Sequence, residues 1–202
     1  MARWEPDAYG RIRQAALDLF TEQGFENTTV AQIAERAGLN RRTFFHHFAD
    51  KREVVFSGSQ EVEELIVTGI RAQPESADPL HAATAGLKSA AGTIFEPQRE
   101  AATKRSRIVA ASPELQEREM LKRATLADTI TAALHDRGTA DQAAAVAAWS
   151  AVAVFYLALA RWTGSAYPRP LAQLIDEILE EFLSAAAGPS PGLSGDRARS
   201  AS

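Results

Sequence analysis

Apolar positions recur along most of the chain at three- and four-residue intervals, the period of a helix with one buried face. Tyr9, Ile12, Ala16, Leu19 and Phe20 form the first such set, behind Pro6 and Asp7 and ahead of Gly24. This predicts a helix from about Asp7 to Gln23. Thr29 and Gln32 have the spacing of a capping box, in which the hydroxyl takes the amide three residues on and the glutamine reaches back. A short helix with Val30, Ile33, Ala34 and Ala37 on its apolar face follows and ends at Gly38, where the missing Cβ tolerates a left-handed turn. Asn40 caps two further turns, Arg41 to Phe48, giving helix, short turn, helix. Asp50 and Glu53 repeat the capping logic and open what reads as one long helix to about Ala72, carrying Val55, Val62, Leu65, Ile66 and Ile70.

Pro74, Asp78 and Pro79 interrupt the pattern. Further helices are expected near 80–95, 97–111, 113–136, 139–163 and 170–186, punctuated by Pro97, Pro113, Gly138 and the stretch from Gly164 to Pro170. No segment alternates apolar and polar residues, and no Asn-Gly or Asp-Gly turn occurs, so strands have no support. The expected fold class is all-α with about nine helices. Residues 1–50 read as a three-helix head, 51–187 as a larger helical body, and 188–202, rich in Gly, Pro, Ser, Ala and Arg, as a disordered tail.

Two helices of the body stand out. From Gln142 to Ala160 there are 19 residues without a charge, near spanning length, but many are Ala, which adds little transfer energy. A helix buried on every side is expected there, and no membrane. The final helix sets Leu171, Leu174, Ile175, Ile178, Leu179, Phe182 and Leu183 against Asp176, Glu177, Glu180 and Glu181. Leu171, Leu174, Ile175, Ile178 and Phe182 are therefore expected at a homodimer interface, where two such helices meet their symmetry mates in a four-helix arrangement.

Composition narrows the function. The 202 residues include no Cys, which excludes disulfides, thiol nucleophiles and Cys-ligated metals. No HExxH, Walker A or GxGxxG motif occurs, so neither a catalytic site nor a cofactor is expected. An acidic N-terminus without an apolar run points to the cytoplasm. The net charge of −4 argues against nucleic acid until it is divided: residues 1–60 are balanced, eight basic against eight acidic, and the deficit lies wholly in the remainder. Arg41, Arg42, Lys51 and Arg52 then stand against Asp50 alone between Asn40 and Arg52. Nearby charges matter most in salt, so this patch is able to engage phosphates.

The segment from Thr28 to Lys51, with Ile33, Ala37, Gly38, Leu39, Phe44 and Phe48 as a miniature core, closely resembles the DNA-binding signature of the TetR family of transcriptional regulators. Arg41, Arg42, Thr43, Phe45, His46 and His47 are left to face outward, and paired Arg and Thr suit the major groove. By resemblance, Thr29 and Lys51 are phosphate clamps and Arg41, Arg42 and Thr43 read bases, with Asn40 as the cap. Phe45 stands where many members carry Tyr, so a phenolic phosphate contact is absent. His46 and His47 either donate to phosphate or stay neutral and idle.

The resemblance further implies a body that encloses a small-molecule cavity, whose occupation tilts the fourth helix and respaces the two heads. Candidate lining residues are Phe95, Met120, Trp149, Phe155, Tyr156 and Trp162, with Arg107 or Arg161 for an anionic group; plain core packing is the alternative for each. The stretch Arg107 to Leu115 resembles a segment of members with acyl-CoA-like ligand domains. The expectation is a homodimeric repressor that binds a palindromic double-stranded operator and is released by a small, mainly apolar effector. An α-helical enzyme with an unrecognised site, or a helical protein-interaction module, are the rivals.

Overall fold

The computed structural model describes residues 7–164 and 169–187. The expected tail, 188–202, lies outside the described residues. The elements are α1 (Ala8–Gln23), α2 (Val30–Arg36), α3 (Arg41–His47), α4 (Lys51–Val55), α5 (Ser59–Arg71), α6 (Pro79–Ala90), α7 (Arg99–Ala111), α8 (Pro113–His135), α9 (Asp141–Gly164) and α10 (Leu171–Ala187). No strand occurs among the described residues.

The head is built by its caps. Thr29 and Gln32 close a reciprocal capping box on α2. The Asn40 side chain accepts the Thr43 amide at 2.9 Å to start α3, and Gly38 turns between the two helices at φ 68°. Asp50 takes the Arg52 and Glu53 amides at 2.8 and 3.1 Å to start α4. Fixed starts set the phase of each helix, so Ile12, Phe20, Ile33, Phe44 and Phe48 converge in one buried cluster. Val54, Val55 and Phe56 join that cluster from α4, and Ile108, Val109 and Leu115 from the α7–α8 corner.

The long helix expected from Asp50 to Ala72 is broken in two. Ser57 and Ser59 hydroxyls donate to the Val54 and Phe56 carbonyls at 2.8 and 3.1 Å, taking acceptors that the next helical turn would use. Gly58 between them adopts φ 84°. Counted as one interrupted helix, α4 and α5 leave nine helices among the described residues.

The body packs on small residues. A Cβ on Gly86 would sit 2.5 Å from the Ile66 carbonyl oxygen, and one on Gly69 would sit 2.8 Å from the Gly86 Cα. The α5 and α6 backbones are therefore in direct contact, a close approach that other residues forbid. The end of α6 widens into a π turn, Ala91–Phe95, and a 3₁₀ turn, Glu96–Gln98, before α7. α9 is long and apolar enough to cross a membrane, but half of that stretch is buried in the body's core. It is not buried on every side as expected: Val146, Trp149 and Leu157 are exposed on one face.

Candidate DNA-binding surface and effector cavity

In α3 the inward and outward positions separate cleanly. Phe44 is fully buried, whereas Phe45 is 50% exposed and Arg41, Arg42, His46 and His47 are exposed beside it. Among the described residues Arg41 and Arg42 enter no ion pair, while Arg36 is bound to Glu22 and Arg52 to Asp50 and Glu114. The Arg36 guanidinium holds the Glu22 carboxyl below its usual range. The unneutralised arginines thus sit where a helix can present them to a groove. Thr29 and Asn40 are exposed at the starts of α2 and α3, their side chains turned to the helix amides, and Thr43 is half-buried. The His46 and His47 rings lie 5.1 Å apart, and Tyr9 stacks on Phe48 at 5.0 Å.

Lys51 is turned inward. Its ammonium donates to the Phe25 and Thr28 carbonyls at 2.7 and 3.1 Å and lies 4.2 Å over the Phe25 ring. It ties the start of α4 to the α1–α2 connection, a role no spacing in the sequence announced.

Beneath the head lies a cavity of about 160 Å³. Leu17 of α1, Val54 to Ser59 of the α4–α5 break, Val62, Phe95, Leu126, Phe155, Tyr156 and Leu159 line it, with Arg13, Glu61, Glu63, Arg105 and Lys122 as its charged groups. Of the expected lining residues the structure brings Phe95, Phe155 and Tyr156 together there. Burial and the neighbouring Glu119 carboxylate push the Tyr156 phenol above the ordinary tyrosine range, so it stays protonated at neutral pH.

The other five stand elsewhere. Trp162 is buried under the Arg99 guanidinium, 5.1 Å from its ring. Met120, Trp149 and Arg107 face outward, away from the cavity. Arg161 reaches Glu181 at 3.3 Å. The arginine of α7 that does reach the cavity, Arg105, precedes Arg107 by two positions, about 200° around the helix. Only the phase of α7 against its neighbours distinguishes them.

The expected dimer stripe is likewise corrected. Leu171, Leu174, Ile175 and Ile178 are buried inside their own chain against the body's core, so no second copy can reach them. Phe182 remains exposed, with Leu183 next to it. On α9 and α10 the large apolar side chains left open are these two and Val146, Trp149 and Leu157 of α9, the helices being joined by the Arg161–Glu181 pair.

Residues 12–57 match the model of bacterial regulatory proteins, tetR family. The HTH-type transcriptional regulator TcmR of Streptomyces glaucescens is 36% identical over 90 residues, 45% of this chain and 40% of that protein. A putative mycofactocin biosynthesis transcriptional regulator, MftR of Mycobacterium tuberculosis, is 29% identical over 157 residues, covering 75% of this chain and 77% of its own. A putative TetR-family transcriptional regulator from Syntrophomonas wolfei shares the fold, with a TM-score of 0.64 over 93% of this chain and 98% of its own at 18% identity. The similarity thus runs through the helix-turn-helix and on into the body, and residues 12–57 carry the DNA-binding module of the tetR family of bacterial regulatory proteins.

Proposed function

We propose that the protein is a cytoplasmic, dimeric repressor that reads a palindromic operator with α3 and is released by a small, mainly apolar effector. The observation that carries this reading is the pair Arg41 and Arg42, exposed at the start of a capped helix and without an acidic partner among the described residues. Guanidinium groups in that position suit guanine edges in the major groove. Thr29, Asn40, Thr43, Phe45, His46 and His47 complete the proposed face, with the free amides at the helix starts suited to phosphate. Lys51 serves it by fixing the start of α4.

The effector reading rests on where the cavity lies. α4 forms part of its wall, and only two residues separate α3 from Asp50, the cap of α4. An occupant that prefers one placement of α4 shifts the population able to bind DNA, and one that binds both placements equally shifts nothing. A second copy fits the exposed apolar face of α9 and α10, which a monomer would leave in water.

Selection of binding sites from random duplexes tests the reading. Enrichment of one inverted repeat is expected, and no enrichment removes it. Leu157→Glu should convert the dimer to monomers in sedimentation; an unchanged dimer would place the contact on another face.

A further inference from the structure

We infer that the cavity accepts an apolar ligand bearing one carboxylate, with the Arg105 guanidinium as the partner of that carboxylate. The inference rests on the effector reading above and adds the chemical class of the ligand and the residue that recognises it.

Arg105 is positioned before any ligand arrives. Its Nε donates to the Val55 carbonyl at 3.0 Å, its Nη2 pairs with Glu119 at 3.1 Å, and its guanidinium lies 5.0 Å over the Phe56 ring. Nη1 has no hydrogen-bond partner among the described residues. The side chain is only 26% exposed, so a second carboxylate is the partner best matched to the remaining edge of the fork.

The charge count near Arg105 points the same way. Glu119 is shared between Arg105 and Arg123, the latter at 2.9 Å with its guanidinium 3.8 Å from the Tyr156 ring. Two cations thus hold one anion in a half-buried place, and Arg13 and Lys122 line the cavity as further cations. A surplus positive charge beside an apolar cavity is unfavourable until an anion enters. Leu17, Phe95, Phe155 and Leu159 supply the apolar wall for the rest of the ligand. Glu61 and Glu63 also line the cavity, but from the more exposed first turns of α5. They would favour a cation, which makes a cation the contrary outcome to look for.

Because Arg105 also holds the last carbonyl of α4 and covers Phe56 in the α4–α5 break, a ligand on its free edge fixes the segment that joins the head to the body. Recognition of the carboxylate and restraint of α4 then pass through one side chain.

Three probes of equal chain length decide the matter: octanoate, 1-octanol and octyltrimethylammonium, each titrated calorimetrically into the full-length protein. Octanoate should bind at least roughly tenfold more tightly than 1-octanol, the ordinary worth of a charge-assisted hydrogen bond. In Arg105→Met that preference should vanish, and in Arg105→Lys part of it should remain. The comparison of probes on the wild-type protein stands even if Arg105→Met fails to fold. Equal binding of octanoate and octanol, tightest binding of the ammonium, or binding of none of the three would overturn the inference. Retention of a selected inverted repeat alongside such a result would leave the regulator reading intact. Absence of any duplex preference alongside octanoate binding would remove that reading alone.

Discussion

The head and the body use opposite kinds of side chain to reach the same all-helical outcome. The head has helices each started by a side-chain cap, α2 and α3 being only seven residues long, closed around large aromatic residues such as Phe20, Phe44 and Phe48. The body has long helices packed backbone to backbone through Gly69 and Gly86 and through the alanines of α6 and α9. In the head, every residue fixed inward leaves a known neighbour outward, so the surface proposed to meet DNA follows from the core. In the body, small residues set distances and leave open which large side chain faces a cavity, a neighbouring helix or solvent.

The sharpest way to break the contrast is to remove an aromatic from the head. Phe44 is fully buried, and Phe44→Ala should lower stability by about 3–5 kcal/mol in chemical denaturation, since a closed miniature core has little freedom to collapse on the void. In the body the corresponding lesion is an addition. Gly86→Ala puts a methyl 2.5 Å from the Ile66 carbonyl oxygen and 2.8 Å from Ile70 Cγ1, and should cost about 1–3 kcal/mol as the two helices separate. A neutral Gly86→Ala would mean that the helix pair is loosely held and that the contrast is false.

These differences decide what was legible in the chain. The caps at Thr29, Asn40 and Asp50 are local, three residues long, and each was readable because its partners are neighbours in sequence. The break at Gly58 was missed because the apolar period continues through it from Val55 to Val62; the signal lay in two serines whose hydroxyls compete for helix carbonyls. Trp149 and Leu171 depart from expectation for a different reason. Both lie on strongly apolar helices, and only the packing of α9 and α10 on each other leaves Trp149 half-exposed and closes Leu171 in. Neither motif nor charge pattern tells one side of α7 from the other, so the sequence alone does not favour Arg105 over Arg107.

A smaller effect sharpens the division within the head between outward and inward cations. Arg42→Ala should weaken binding to the selected operator by about 1–3 kcal/mol, with little change on random duplex and none in melting temperature, if the contact is bidentate to guanine. Lys51→Met should do the reverse, lowering melting temperature and weakening all duplexes alike, because its ammonium serves the Phe25 and Thr28 carbonyls. Denaturation curves beside binding titrations on both duplexes separate the two. Equal effects of the two substitutions on both measurements would erase the distinction.

The smallest expected effect is one of pH and tests whether a head cap works as a charge. The hydrogen bonds from Arg52 and from the Glu53 and Arg52 amides outweigh the partial burial of Asp50 and hold its carboxyl below the usual aspartate range. The folded chain therefore binds this proton less readily than the unfolded chain does. The resulting stabilisation is fully present above the unfolded value, near ~4, and is lost as pH falls through the lower folded value. Asn keeps the cap's hydrogen bonds but carries no titratable proton, so Asp50→Asn should be slightly less stable than the wild type at pH 7 and lose less stability on acidification. Melting temperatures of both proteins between pH 7 and pH 2.5 check this. Parallel acid profiles would show that the Asp50 charge contributes nothing beyond its hydrogen bonds, and the start of α4 would then rest on the cap and on Lys51 alone.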